Sequence, residues 1–415
     1  MHPLDTLDTP AAVLDTSRLQ HNLQRMQAHI SALGVALRPH IKTSKCLAVV
    51  QRQLALGAQG VTVSTLKEAQ QCLAAGITDI TYAVGIAPAK LPQVLALRRQ
   101  GAALTILTDN LASAAAIGAF CRAQGAAIPV LIEVDTDQHR SGVAPESDLL
   151  LQLGRALHGQ CAQLAGVLTH AGASYACSTP AALQALAEQE RAGCVRAAQR
   201  LRDAGLPCAV VSVGSTPTAL SATRLDGVTE VRAGVYAFMD LVMANVGVCT
   251  PADIALSVLA TVIGHQPEKG WALVDAGWMA MSRDRGTQDQ ACDYGYGQVC
   301  NLDGAPLPGW LMQGANQEHG IVAFDARLAG AGTAPAEPGA QAPVDPSGPA
   351  PVDPGAQAAV DPGAQAPVDI TQALPVGTRL RILPNHACAT AAQFAGYHAL
   401  QADGSLEDWP RWNHW

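Results

Sequence analysis

No run of about eighteen or more apolar residues occurs in this sequence, so no membrane-spanning helix is expected. No CxxC pair occurs among its eleven cysteines, which are scattered and odd in number. That pattern suits reduced thiols in a cytoplasm and not a disulfide framework. The N-terminal Met1-His2-Pro3-Leu4-Asp5 lacks a basic stretch followed by an apolar one, so it does not read as a secretory signal. Positive charge is not in excess. The formal net charge is -8, which argues against nucleic acid as a partner. Aromatic residues are only 4% and charged residues 14% of the 415, whereas apolar residues reach 49%. A chain of this length and composition can bury a large core and form two domains.

What is present is a recurring strand-like unit. Eight such runs lie between residues 35 and 236: Val35–Lys42, Gly60–Thr65, Asp79–Val84, Leu104–Asp109, Pro129–Asp135, Leu164–His170, Ala209–Ser215 and Val231–Tyr236. Ala- and Leu-rich segments of helical period, such as Leu66–Ala75 and Thr179–Ala204, separate them. Strand–helix alternation predicts parallel βαβ units, and eight of them predict a (β/α)8 TIM barrel over residues 9–250. A doubly wound open sheet would carry a Gly-rich fingerprint after the first strand. Pro39–Lys45 has no glycine. Polar residues collect at the strand ends, namely Lys42, Ser64, Asp109, Asp135, His170, Ser212 and Tyr236. The C-terminal face of a barrel is where active sites are built.

After residue 250 the texture changes. Ala255–Gly264, Gly270–Ala276 and Thr378–Leu383 read as strands among Gly- and Pro-rich turns, which predicts a smaller β-domain over 251–415. Within it, 331–369 is of low complexity. A Val-Asp-Pro-Gly-Ala-Gln-Ala unit recurs with variants at Val344, Val352, Val360 and Val368. A segment this rich in Pro, Gly and Ala is expected to be a disordered insertion without a catalytic role.

Three constellations carry chemistry. Arg38-Pro39-His40-Ile41-Lys42-Thr43-Ser44-Lys45 puts a lysine where a strand ends and a helical pattern begins. A lysine held in a cleft there, desolvated beside a histidine, is a usable nucleophile or base; the alternative is a pair of surface charges at a turn. Ser212-Val213-Gly214-Ser215-Thr216-Pro217-Thr218 and Arg232-Ala233-Gly234-Val235-Tyr236 follow strands seven and eight. Small residues, hydroxyls and free backbone N–H groups at that place make a phosphate cradle. With Lys42 across the cleft, they suit pyridoxal 5'-phosphate, which needs a lysine at one end and a phosphate cup at the other. Pro384-Asn385-His386-Ala387-Cys388 places His386 and Cys388 two apart, on one side of an extended segment, a spacing that suits a borderline divalent metal. Gln317-Glu318-His319-Gly320 offers a further ligand or carboxylate, or a polar turn. Asp137–Gly142 and Thr169–Tyr175 place Arg140 and Tyr175 where they would address a cofactor ring or a substrate carboxylate. Asp275–Trp278 and Tyr294–Gly297 read at least as well as hairpin turns.

Taken together, Pro39–Lys45, Thr169–Gly172, Val213–Thr218, Glu230–Tyr236 and Pro384–Cys388 resemble the D-serine dehydratase and D-threonine aldolase family. Those are fold-type III pyridoxal-phosphate enzymes, built like alanine racemase from a barrel and a β-domain. The resemblance runs over nearly the whole chain except the repeat. It implies that Lys42 carries the cofactor. It implies that His386 and Cys388 hold a divalent ion (Mn2+, Zn2+, Co2+ or Ni2+). Gly214, Ser215, Thr216, Gly234 and Tyr236 would surround the phosphate, and Arg140, His170 and Tyr175 would lie near the ring. The implied reaction is metal-assisted dehydration of a D-3-hydroxy amino acid with release of ammonia: D-threo-3-hydroxyaspartate would give oxaloacetate, and D-serine would be a second substrate. The rival is an aldolase acting on D-threonine or D-3-hydroxyaspartate; a non-catalytic pyridoxal-phosphate carrier would need no metal pair. The resemblance allows a homodimer.

Overall fold

The alternation of strand and helix in the first half of the chain is reproduced in space, unit by unit. The computed structural model describes residues 2–158, 162–329 and 368–414. A first strand, β1 (Ala11–Asp15), is followed by eight more: β2 (Ala36–Leu37), β3 (Val61–Val63), β4 (Asp79–Gly85), β5 (Ala103–Thr108), β6 (Pro129–Val134), β7 (Gln163–Thr169), β8 (Val210–Val213) and β9 (Glu230–Val231). Strands β2 to β9 pair in parallel in the order β2-β9-β8-β7-β6-β5-β4-β3. A parallel bridge between His40 and Thr62 joins the two ends of this order. There the Thr62 amide donates to the Pro39 carbonyl at 2.8 Å and the Ile41 amide to the Thr62 carbonyl at 2.9 Å. The ring of eight expected from the sequence is closed.

Period-two alternation sorts its side chains. Leu107, Leu131 and Leu168 form a buried cluster of their own inside the ring. Their neighbours Ile106, Val130, Ile132 and Val167 belong to the larger core between strands and helices. Truncating one of the inner leucines to alanine removes contacts worth about 2–5 kcal/mol. The inner cluster also floors the site, since Leu168 lines the cavity above it. Helix starts at the strand ends carry their own caps. Thr65, Asn110 and Thr179 each accept a backbone N–H of the first turn that follows.

The second half forms a nine-stranded sheet from β1 and eight later strands: β10 (Leu256–Gln266), β11 (Trp271–Val274), β12 (Gly297–Cys300), β13 (Pro306–Ala315), β14 (Gly320–Phe324), β15 (Arg379–Pro384), β16 (Gly396–Leu400) and β17 (Leu406–Pro410). Strands β10-β11-β14-β13-β12-β15 close on themselves, because β10 pairs with both β11 and β15. Val258, Val274, Val299, Met312, Val322 and Ile382 are buried together as their core. The three predicted strands correspond to β10, β11 and β15. A boundary at residue 9 groups Ala11–Asp15 with the barrel, but β1 pairs antiparallel with β10 and parallel with β16. The chain starts in the β-layer, enters the barrel through the helix Thr16–Ala32, and returns.

Most of the low-complexity stretch 331–369 lies outside the described residues. Its last residue, Asp369, caps the helical turn Ile370–Ala373 by accepting the Thr371 amide at 3.0 Å. Among the described residues, no helix is long and apolar enough to cross a membrane.

Candidate active site

Ten of the eleven side chains singled out in the sequence meet at one cavity of about 340 Å³, at the C-terminal ends of the barrel strands. Lys42, Arg140, His170 and Tyr175 line it from the barrel. Gly214, Ser215, Thr216 and Gly234 line it at the loops after β8 and β9, and His386 and Cys388 reach it from the β-domain. Tyr236 is the exception. Its ring is buried in the core and its hydroxyl accepts a hydrogen bond from Gln53 Nε2 at 2.9 Å, while only its amide turns toward Thr216 Oγ1. An aromatic side chain two residues after a glycine turn was drawn inward by the apolar face behind the loop.

Lys42 sits in the turn that follows the β2 extension, between buried Ile41 and Thr43. The expected desolvated lysine is not found: Lys42 is exposed although it lines the cavity. Lys45, three residues on, points elsewhere and forms an ion pair with buried Glu68 at 3.0 Å. His40 accepts the Lys42 amide on Nδ1 at 3.4 Å, which assigns its proton to Nε2, 3.3 Å from Ser64 Oγ. Burial, followed by the charges of Lys42 and Arg232, holds His40 well below the ordinary histidine range. His170 Nδ1 donates to the Gly214 carbonyl at 2.9 Å. Burial and then the Arg140 charge lower its pKa to about 3, so the ring is neutral at physiological pH.

The loops after β7, β8 and β9 are braced by two residues that sequence reasoning left out of the site. Glu190, buried on the long helix Pro180–Asp203, accepts the amides of Ala171 and Gly214, each at 3.0 Å. Arg232 is buried beneath the cavity, with Nε on Ser212 Oγ at 2.8 Å and Nη2 on the Thr169 carbonyl. A signal for Glu190 was available: it interrupts the buried stripe Ala187, Cys194, Ala197 and Leu201 at helical spacing. The close approach of these loops requires glycine. A Cβ on Gly214, at φ +134, would lie 2.2 Å from the Arg232 carbonyl oxygen, and one on Gly234 would lie 2.8 Å from that of His40.

The polar strand ends divide by task. Lys42, Ser64 and His170 face the cavity. Asp109 and Asp135 instead hold the loop that carries Arg140, through the amides of Gly142 and His139 at 3.3 Å each. Ser212 binds Glu230 at 2.7 Å.

His386 and Cys388 do not sit on an extended strand. β15 ends at Pro384, His386 is the N-cap of the short helix Ala387–Ala391, and Cys388 lies in its first turn. The barrel holds this junction. Asp240 accepts the Ala387 amide at 2.9 Å and the Val242 amide donates to the Asn385 carbonyl at 3.1 Å. Burial pushes the Asp240 carboxyl up to about 6. Cys388 Sγ is 3.1 Å from Thr43 Oγ1, and His386 Nδ1 is 2.7 Å from Asp284 Oδ2. Burial by itself lowers the His386 pKa, but hydrogen bonds to Asp284 and Cys388 outweigh it and raise the value. Burial by itself raises that of Cys388, but His386 and Lys42 bring it down. Asp284, 102 residues away in sequence, carried no spacing signal. Glu318 and His319 are exposed in the β13–β14 turn, which packs against Gly277, and neither lines the cavity.

The donor chemistry fits both groups that the resemblance implies. For a phosphate there are the amides of Thr216, Gly234 and Val235, for which no acceptor is found among the described residues. The Thr216 hydroxyl accepts the Tyr236 amide and keeps its own proton to donate. For a borderline divalent ion there are one imidazole nitrogen and one sulfur, with a carboxylate on the other ring nitrogen. Among the described residues, no group of three or more His, Cys, Asp or Glu is arranged to hold a metal. Among the described residues this pair offers two donors, which would leave positions for other ligands.

The chain is similar over its length to known proteins. The family model "Alanine racemase, N-terminal domain" matches residues 14–242, and "Putative serine dehydratase domain" matches 255–344 and 357–400. The chain is 60% identical over 411 residues to D-threo-3-hydroxyaspartate dehydratase of Delftia sp. (strain HT23), covering 99% of this chain and 98% of that one. The solved structure of the dehydratase from Delftia sp. HT23 superimposes with a TM-score of 0.89 at 59% identity and full coverage of both chains. A cysteine-to-alanine mutant of a D-threo-3-hydroxyaspartate dehydratase has been solved in a metal-free form. D-threonine aldolase of Arthrobacter sp. is 32% identical over 82% of this chain and 83% of its own. The chain belongs to the D-serine dehydratase and D-threonine aldolase family, with the alanine racemase-like barrel and a C-terminal antiparallel β-domain.

Proposed function

We propose that this chain is a pyridoxal-phosphate- and divalent-metal-dependent dehydratase that converts D-threo-3-hydroxyaspartate to oxaloacetate and ammonia, with D-serine as a further substrate. The observation that carries the reading is that Lys42 and the pair His386 and Cys388 line the same cavity from opposite domains. When bound, the cofactor supplies an electron sink for negative charge at the substrate Cα, and the ion supplies a Lewis acid for a departing hydroxyl group.

The chain's own residues divide the remaining work. Lys42 would hold the cofactor aldehyde through Nζ, and its free amine is the base placed to take a proton from the substrate Cα. The amides at Thr216, Gly234 and Val235 would hold the phosphate. His170 is neutral, its Nδ1–H is spent on the Gly214 carbonyl, and it presents a ring without charge. Tyr175 lies beside that ring, with centroids 6.3 Å apart, and Arg140 lines the same cavity. His386 and Cys388 would hold the ion, which would supply the Lewis acid for the 3-hydroxyl. Loss of water and hydrolytic release of the amine leave the oxo acid and ammonia, so 3-hydroxyaspartate gives oxaloacetate without any net change in water. The ten cysteines among the described residues form no disulfide, which supports the cytoplasm as the working compartment.

The test is product identity. The enzyme with both cofactors is incubated with D-threo-3-hydroxyaspartate, D-serine and D-threonine, and oxo acid, ammonia and aldehyde are measured. Oxo acid and ammonia in equal amounts are expected from the first two. The 32%-identical aldolase keeps retro-aldol cleavage as the second reading. Glycine plus an aldehyde as the main products would establish it.

A further inference from the structure

We propose that Asp284 is a positioning residue for the metal pair: it holds the His386 ring by its Nδ1–H and keeps Nε2 turned to the ion shared with Cys388. The inference rests on the reading of His386 and Cys388 as ligands. Asp284 itself stays outside the coordination sphere.

The geometry has three parts. His386 stands at the N-cap of a short helix and makes no capping bond with its side chain, which is 40% exposed. On that helix Cys388 bonds to the ring, and a bond to that sulfur does not by itself choose which ring nitrogen carries the proton. A ring so placed samples both tautomers and more than one χ2 setting, and only some of these present a lone pair to an ion. Asp284 Oδ2, 2.7 Å from Nδ1, selects one tautomer and one orientation. That is what a carboxylate behind a metal-bound imidazole does.

Asp284 is held in its turn. The Gly286 amide donates to its Oδ1 at 2.9 Å, and its own amide donates to Ser282 Oγ at 3.2 Å. The loop that carries it is fastened by Asn385, the buried residue just before His386. Asn385 Nδ2 donates to the carbonyls of Gly295 at 2.6 Å and Asp284 at 3.3 Å, and its Oδ1 accepts from Thr287 Oγ1 at 3.0 Å. One side chain next to the ligand thus fixes the loop that orients the ligand. Cys388 has a further holder in Thr43, so each donor has a partner of its own besides the bond between the two.

The experiment is a zinc titration of the metal-stripped, pyridoxal-phosphate-loaded enzyme against a competing chromophoric chelator. Variants are D284A, D284N, N385A and H386A. D284A is expected to bind zinc about 10–100-fold more weakly, with the cofactor absorbance unchanged. D284N, whose amide oxygen still accepts the Nδ1–H, is expected to recover most of that loss, and N385A to show a smaller loss than D284A. Cobalt in place of zinc reads the ligand set directly. Its ligand-field spectrum is expected to change in D284A and to return in D284N. Zinc affinity in D284A within twofold of wild type would overturn the proposal. D284N no better than D284A would overturn it too, because it would make Asp284 a ligand or a charge rather than an orienting acceptor. Wild-type zinc affinity in H386A would instead remove the metal reading on which the inference stands.

Discussion

The Thr43 hydroxyl lies 3.1 Å from Cys388 Sγ, across 345 residues of sequence. Thr43 follows Lys42 directly, so the contact fixes the proposed cofactor lysine and the proposed metal thiolate in one frame. A hydrogen bond to a thiolate stabilises its charged form. T43V is therefore expected to raise the Cys388 pKa in the metal-free protein, by less than H386A does, because His386 is the larger of the two influences. The pH dependence of Cys388 alkylation measures this, and an unchanged profile in T43V would show that the hydroxyl does not donate to sulfur.

Lys42 and Lys45 are expected to separate cleanly. K42A should lose all borohydride-reducible cofactor attachment and all turnover. K45M should keep the attachment but lose up to about 3–5 kcal/mol of stability, since it leaves the buried Glu68 carboxylate with the Ser64 amide but without its cation. A reducible adduct in K42A would reassign the cofactor lysine.

Metal removal is expected to stop elimination and spare the cofactor. EDTA should inactivate the enzyme and an added divalent ion restore it, since two protein donors bind reversibly. H386A and C388A should keep the cofactor absorbance and lose most ammonia release from D-serine. Exchange of the α-hydrogen into deuterated water should survive better than ammonia release, because Lys42 and not the ion moves that proton. Parallel loss of exchange, ammonia release and cofactor would make the ion structural.

His170 sets a pH dependence of stability. Its folded pKa, about 3, lies below the 6.5 of the free side chain, so the unfolded chain takes up the proton first. Its contribution is present above pH 6.5 and is lost as pH falls toward about 3, by about 1.4 kcal/mol per pH unit in that window. H170Q can still donate to the Gly214 carbonyl but does not titrate. Urea unfolding of the cofactor-free proteins from pH 7 downward is expected to show a shallower decline in H170Q, by about one proton. Equal slopes would place the His170 pKa near its ordinary value.

The barrel was legible because its signals are local. Each strand is a short apolar run ended by a polar or small residue, and several helices carry their own caps, as at Thr179 before Pro180–Asp203. The β-domain was less so. β12 and β13 carry Gly297, Pro306, Pro308, Gly309 and Gly314, which break the alternation that marks a strand. The pairing of β1 with β16 joins Val13 to His398, and no local pattern announces it.

The sequence by itself determined the eight units, the lysine turn, the two glycine loops and the presence of a His-x-Cys pair. These depend on spacing and backbone preference within a few residues. Only the tertiary structure decided that Tyr236 turns inward, that Glu190 and Arg232 brace the loops, and that Asp284 and Thr43 meet His386 and Cys388. Most of those contacts lie within one domain, between loops and helices that local spacing does not bring together, and the Thr43–Cys388 contact joins barrel to β-domain across 345 residues; each forms only when the cores behind it are packed.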